Sequence, residues 1–242
     1  MRLPQRDIHN HLLPGVDDGF QSEGDSLEAI SLMSAGGMGQ FVFTPHLNPE
    51  VYPDSDEEFL RVRYNEFHSK IPSEWGVTTH LAAEYMIVPG FENRIDHQDT
   101  LLRQPGGELL IEMSYLYRSN NLEETVFRLN LNGIRPILAH PERYLYMSGE
   151  LKDFERLRDM GCALQLNLMS LTGCYGEESR SIMYYLLENN FYDFCATDLH
   201  GLGQLKQIMD FDEKSLEAGR LEKFFGGGRK AAKRLENLQK LL

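Results

Sequence analysis

Cysteine is the first scarcity in this 242-residue chain. Cys162, Cys174 and Cys195 have no paired spacing, which excludes a disulfide-framed scaffold and points to a reducing compartment. Long apolar runs are missing too: no stretch of about 18 such residues occurs, so no membrane span is expected. The first residues lack the basic-then-apolar pattern of a secretory signal, and the cytoplasm is the expected location. Positive charge is short as well. Lys and Arg number 24 against 37 Asp and Glu, a net charge of −13. That balance disfavours nucleic acid or an anionic membrane as partner. An anionic substrate would need local help, which bound divalent cations supply.

The hydrophobic fraction of 41% is ordinary for a globular core. Ser22 with Asp25 reads as a capping box for a helix bearing Leu27, Ile30, Leu32 and Met33, stopped at Gly36-Gly37. Strands are expected over 41–44, 77–86, 109–113, 134–139, 163–168 and 192–197. Further helices are expected over 58–70, 122–131, 151–160 and 178–189, with a helical tail over 230–242. Strand and helix alternate about seven times, which argues for parallel strands with crossover helices. The strand runs are mostly continuous in hydrophobicity, as strands buried on both faces are. No linker or repeat splits the chain, so residues 1–242 read as one α/β domain, a barrel with fewer than eight regular units.

The opening stretch, Asp7-Ile8-His9-Asn10-His11, carries the chemistry. Histidines one residue apart on a strand project to the same side and can face one metal ion. The strand breaks at Pro14-Gly15, and a turn carries Asp17 and Asp18 back over its end. A carboxylate beside two imidazoles suits Mn, Fe or Zn. His46, Glu84, Glu112, His140, Asp198 and His200 each fall at or just past the end of an expected strand. In parallel α/β barrels that face carries the active site. An acid inside Leu110-Ile111-Glu112-Met113 would be costly to bury without a partner.

These segments resemble a known superfamily. His9-Asn10-His11 with Asp17-Asp18-Gly19, Thr44-Pro45-His46, Ala83-Glu84-Tyr85, Ile111-Glu112-Met113-Ser114, Ala139-His140-Pro141-Glu142-Arg143-Tyr144 and Thr197-Asp198-Leu199-His200 are similar to the polymerase and histidinol phosphatase (PHP) superfamily. Within it, they resemble the capsule-associated bacterial protein-tyrosine phosphatases. The resemblance implies a distorted (β/α)7 barrel with three metal ions, most often manganese, with iron or zinc also possible. One metal would take His9, His11, Glu84 and Asp198. A second would take Glu84, Glu112 and His140. Asp18, His46 and His200 would hold the third. Arg143 matches the family's phosphate-contacting arginine, and with Asp18 and His46 it is expected closest to the chemistry. Close metals lower the pKa of a shared water and neutralise phosphate charge, so no side-chain nucleophile is needed.

One departure stands out. The family's phosphatases usually carry a second arginine shortly after the Asp-x-His pair, and here the stretch is Gly201-Leu202-Gly203-Gln204-Leu205-Lys206. Lys206 or Gln204 is the available substitute for substrate binding. Two other readings compete. Cys174 and Arg180 match the C-x5-R spacing of cysteine-dependent phosphatases, but Glu177 and Glu178 between them would repel a dianion. His68, His80 and His97 lie outside the matched motifs and read as surface or structural. The expected activity is therefore a metal-dependent phosphomonoesterase, a protein-tyrosine phosphatase acting on a bacterial tyrosine kinase of capsular or exopolysaccharide synthesis. A small-metabolite phosphatase such as one for histidinol phosphate, a non-catalytic metal-binding regulatory module, and a phosphodiesterase or nuclease are the alternatives. The aromatics Tyr52, Tyr85, Tyr115 and Tyr117 are expected near the mouth of the site.

Overall fold

The protein is described by a computed structural model covering residues 3–97, 100–148, 152–211 and residue 221. In chain order the elements are β1 (Arg6–Asp7), α1 (Glu23–Ala35), β2 (Gln40–Phe43), β3 (His46–Leu47), α2 (Glu57–His68), β4 (Thr78–Leu81) and β5 (Glu84–Met86). There follow β6 (Leu109–Glu112), α3 (Leu122–Leu131), β7 (Pro136–Ala139), α4 (Lys152–Asp159), β8 (Ala163–Asn167), α5 (Gly176–Glu188), β9 (Phe194–Ala196) and α6 (Leu202–Asp210). Every strand pairing is parallel. One sheet runs β1-β2-β4 and the other β3-β5-β6-β7-β8-β9.

Local chemistry sets the helix starts. The Ser22 hydroxyl accepts the Asp25 N–H at 3.1 Å, as the capping pattern predicts. Asp56 does the same for α2 through the Phe59 N–H at 2.8 Å, so that helix begins one residue before its expected start. Helix α6 was not expected. Gly201 and Gly203 at its start weaken the helical pattern by their low propensity. The expected tail over 230–242 lies outside the described residues.

The strand over 41–44 stops before Pro45 as expected, but a short strand resumes at His46, and the strand expected to run unbroken over 77–86 is divided. Pro45 separates β2 from β3, because proline has no N–H to pair and restricts Thr44 before it. The neighbouring strand breaks in step, at Ala82-Ala83 between β4 and β5. Pairing still continues through both breaks. Ala82 N–H donates to Phe43 O at 2.8 Å and Glu84 N–H to Pro45 O at 3.1 Å.

Alternation along the strands sorts side chains between two cores. Leu109, Ile111, Leu138, Leu164 and Leu166 face the helices within the large core. Ile8, Leu110, Ile137, Ala139, Ala163 and Ala196, from the strands and the residue just after β1, form a separate small cluster. By the period of two, Glu112 lies on the face of Leu110, and Gln165 and Asn167 on the face of Ala163. This apolar cluster therefore shares its strand faces with the polar residues Glu112, Gln165 and Asn167.

Asp7 ties the first strand to the last. Fully buried, it accepts Thr197 Oγ–H at 2.6 Å, the Thr197 N–H at 3.0 Å and the Asn10 side-chain amide at 3.2 Å. Burial nonetheless pushes its carboxyl above the usual range, against the pull of the Thr197 bonds. Just beyond, Asp198 N–H donates to His9 O at 2.8 Å and His11 N–H to Leu199 O at 3.0 Å.

Tyr85 is not at the mouth of a site. It is a fully buried core ring whose hydroxyl donates to Glu57 at 3.2 Å and accepts the Leu102 N–H at 2.7 Å. It immediately follows Glu84 on β5, so the period of two turns it to the opposite face, into the core. Tyr85→Phe is expected to leave the Leu102 N–H unsatisfied and lower unfolding stability by about 1–3 kcal/mol in urea melts, with turnover unchanged. Loss of turnover without loss of stability would contradict the core assignment.

Candidate metal centre

The loops and strand starts at one end of the parallel sheets bring nine nitrogen and oxygen side chains together. His9 and His11 follow β1, Asp18 lies in the turn before α1, and His46 opens β3. Glu84 opens β5 and Glu112 closes β6, while His140 follows β7 and Asp198 and His200 follow β9. His46 and Glu84 are register partners on adjacent strands, which sets them side by side.

Glu84 is the hub. Its Oε2 lies 3.2 Å from His9 Nε2, 3.4 Å from His11 Nε2 and 3.1 Å from His46 Nδ1. Its Oε1 lies 3.0 Å from His140 Nε2. Asp198 Oδ1 sits 3.2 Å from His9 Nε2 and 3.4 Å from His11 Nε2. Glu112 Oε1 meets His46 Nδ1 at 2.9 Å. Asp18 Oδ1 lies 3.3 Å from His46 Nε2 and 3.7 Å from His200 Nε2.

Three overlapping groups have ligand atoms all within 4.8 Å of one another: His9, His11, Glu84 and Asp198; His11, Asp18, His46 and His200; and His46, Glu84 and Glu112. The first is the set expected for one metal, and the second contains the set expected for another. The third differs from expectation, since His46 stands where His140 was expected. Among the described residues, His140 instead touches Glu84 alone of the carboxylates, and its Nδ1 is buried without a hydrogen-bond partner.

A second layer orients the imidazoles. His9 Nδ1–H donates to Gln165 Oε1 at 2.8 Å, and His11 Nδ1–H to Asp17 Oδ2 at 2.7 Å. His200 Nδ1–H donates to the Asp198 carbonyl at 2.9 Å. Each bond leaves Nε2 free and aimed inward, the arrangement of metal-bound histidines. Asp17 Oδ2 also accepts the His46 N–H at 3.0 Å, and Asn167 donates to Asp198 Oδ2 at 2.6 Å. Sequence reading missed Gln165 and Asn167 altogether and gave Asp17 no role of its own. The signal was there: polar residues inside the run Ala163-Leu164-Gln165-Leu166-Asn167 need buried partners, as Glu112 does.

The charge balance fits cations. Burial and the neighbouring Glu84 carboxylate push Glu112 above the usual range. Burial pulls the His9, His11 and His46 imidazolium forms down, but the surrounding carboxylates outweigh it and hold these rings above their usual value. A hydrogen bond from His46 holds Asp18 well below the carboxylate range. His200, buried and facing His11, is pushed down to about 4. The site thus draws positive charge inward, and among the described residues Glu84 Oε2 at its centre has no hydrogen-bond partner. Divalent cations on nitrogen and oxygen ligands would meet both demands. Backbone strain marks the same place: His140 and Asp198 adopt φ of 33° and 50°.

Arg143 stands beside this cluster. Its Nη1–H donates to Asp198 Oδ2 at 3.1 Å. Lys206 is exposed on α6 and makes none of these contacts, while Gln204 uses its side-chain oxygen to accept the His200 N–H at 2.8 Å. Neither presents itself as a second arginine would. The C-x5-R reading fails on geometry as well: the Cys174 thiol turns to Met169 O, and Arg180 pairs with Glu177 at 3.7 Å and lies near the Tyr184 ring. His68 Nδ1 bonds the Thr79 hydroxyl at 2.7 Å, a structural role, and His80 is exposed on β4.

Parallel strands ending in clustered imidazoles and carboxylates, with one arginine alongside, define an α/β protein with a nitrogen–oxygen metal centre. The chain belongs to the CpsB/CapC family of capsular polysaccharide synthesis, whose profile matches residues 5–220. It is 29% identical over 204 residues to the tyrosine-protein phosphatase YwqE of Bacillus subtilis, covering 81% of this chain and 77% of that one. It is 25% identical over 232 residues to the tyrosine-protein phosphatase CpsB of Streptococcus pneumoniae, covering 90% and 94%. A crystal structure from a study of YwqE and CpsB, described as unique metal-dependent tyrosine phosphatases, superposes with a TM-score of 0.76 at 26% identity, covering 98% and 93%.

Gly19 shows how tightly the centre is built. A Cβ there would lie 2.4 Å from both His11 Cβ and His11 O, and 3.0 Å from Asp17 Oδ1. Gly19→Ala is expected to displace His11 and weaken metal retention roughly tenfold to a hundredfold. Metal analysis after dialysis, with circular dichroism as the folding control, checks this. Wild-type metal content would refute the close-approach argument.

Proposed function

We propose that this protein is a metal-dependent protein-tyrosine phosphatase acting on a tyrosine kinase that controls capsular or exopolysaccharide synthesis. The observation that carries the reading is Glu84 Oε2, buried among three imidazole nitrogens with Arg143 alongside the same cluster. Relatives named tyrosine-protein phosphatases over most of their length support it. Counting β2 with β3 and β4 with β5, the described residues hold seven strand units, and a distorted (β/α)7 barrel formed by residues 1–242 as one domain is the architecture that goes with this function. The cytoplasm, where such a kinase presents its phosphotyrosines, is the location that goes with it.

His9, His11, Glu84 and Asp198 would hold one ion, and Asp18, His46 and His200 another. Glu112 and His140 flank Glu84 and would complete the third, with manganese as the preferred metal. Bound there, the ions would supply Lewis acidity to a water nucleophile and neutralise the phosphoryl charge. The chain's own contributions are orientation and binding. Gln165 and Asp17 fix the imidazoles of His9 and His11, and Arg143 offers a planar fork to phosphate oxygens. Tyr52 stacks over His46, with ring centroids 6.0 Å apart and planes 11° apart, which places an aromatic face beside the cluster.

Exhaustive chelation is expected to abolish aryl phosphate turnover and lower the melting temperature, because apposed carboxylates then lose their countercharge. Added manganese should restore both. Full turnover by verified metal-free protein would sink the mechanism.

Substrate class is tested by competition at fixed manganese. Phosphotyrosine peptides are expected to show higher kcat/KM than phosphoserine peptides or histidinol phosphate, with neutral or basic flanks favoured by the acids at Glu50 and Asp54. A tenfold preference for histidinol phosphate, about 1.4 kcal/mol in transition-state binding, would replace this reading with the metabolite one.

A further inference from the structure

We propose that Tyr175 and Tyr115 clamp Arg143 from both faces, and that Tyr175 is a positioning residue for the phosphoryl group. The inference rests on the phosphatase reading above. The Arg143 guanidinium carbon lies 4.2 Å from the Tyr115 ring centre and 4.3 Å from the Tyr175 ring centre. Both aromatic rings therefore lie at cation–π distance from the guanidinium, and one of its edges is tied to Asp198 Oδ2 at 3.1 Å. In such a clamp the guanidinium is restrained from swinging out of plane. Its remaining in-plane N–H groups keep a fixed direction, and the side chain retains 21% exposure through which an anion can reach them.

Tyr175 sits where a helix would ordinarily want another residue. It is the N-cap of α5, a position that favours Ser, Thr, Asp or Asn, and it makes no capping bond. A tyrosine there gives up helix-start stability. Its ring covers the arginine instead, and its hydroxyl oxygen accepts the Asn167 side-chain amide at 3.3 Å. Asn167 in turn holds Asp198. Tyr115 closes the other side from the loop after β6, with its hydroxyl 3.3 Å from His140 Nε2.

The clamp answers the missing second arginine. With Gln204 engaged by the His200 backbone and Lys206 exposed on α6, Arg143 is the arginine that touches the centre among the described residues. A single arginine binds well only if it is already in place, because ordering it on binding would cost affinity. Two aromatic faces supply that order in advance.

Tyr175 is the clean position to test, since Tyr115 also touches His140. The experiment uses full-length, manganese-loaded wild type, Tyr175→Phe, Tyr175→Ala, Arg143→Ala and the double variant Tyr175→Ala/Arg143→Ala. Three quantities are read: inorganic phosphate affinity by titration, KM and kcat for an aryl phosphate, and bound metal. Tyr175→Ala should weaken phosphate affinity and raise KM by about fivefold to thirtyfold, with kcat changed less and metal content unchanged. Tyr175→Phe, which keeps the ring, should stay within about twofold of wild type. In the Arg143→Ala background the Tyr175→Ala effect should vanish, because the clamp then has nothing to hold. Phosphate affinity unchanged in Tyr175→Ala, or an effect that persists without Arg143, would overturn the clamp. So would metal loss in Tyr175→Ala, or an equal loss in Tyr175→Phe, because either would assign the effect to the Asn167–Asp198 contact. A wild type that binds phosphate but hydrolyses no phosphomonoester would instead overturn the phosphatase reading and leave the clamp standing.

Discussion

Glu84 places a carboxylate oxygen where three imidazole nitrogens converge, fully buried and, among the described residues, with no hydrogen bond of its own. A buried carboxylate of that kind is costly unless positive charge stands against it. Around it stand the carboxyl groups of Asp18, Glu112 and Asp198, and His9, His11 and His46 respond by holding protons more tightly than usual. Countercharge is the requirement on which the rest of the centre depends. Protons satisfy it in part; divalent cations on the same atoms would satisfy it with better geometry and release those protons.

The scaffold serves that requirement from outside. Gln165, Asp17 and the Asp198 carbonyl each take an Nδ1–H and turn Nε2 inward. Asp7 bolts the strand before His9 to the strand before Asp198, so that the first and last contributors to the site share one buried junction. The strained backbones of His140 and Asp198, at roughly 1–3 kcal/mol each, are tolerated because these junctions over-determine them. The breaks at Pro45 and Ala82-Ala83 have a similar result. They separate paired strands into two sheets and leave His46 and Glu84 side by side at the start of the second.

The acidic balance of the chain and its anion-handling site are compatible for a local reason. Net charge acts at long range and is screened within about 8–10 Å at physiological salt, whereas Arg143 and bound cations act at contact distance. The global field then selects among partners, and the local field binds the phosphoryl group.

What the sequence by itself determined was the set of reactive groups and the frame that carries them. Strand and helix order followed from hydrophobic period and capping, which are local properties, and Ser22, Gly36 and the run at Leu109 all read correctly. His9 and His11 could be paired from a period of two, and the remaining ligand-type residues from their place at strand ends and from resemblance. Only the tertiary structure decided how those groups divide. His46 meets Glu84 and Glu112 because two strands break together at Pro45 and Ala82-Ala83, and no local pattern fixes a break in one strand by the break in its neighbour. Tyr85 was sorted to the core and Tyr175 to the site because side-chain direction depends on which face a neighbouring element covers. Gln165, Asn167 and Asp17 became orienting groups through contacts up to 156 residues apart, a separation at which sequence carries residue type but not distance.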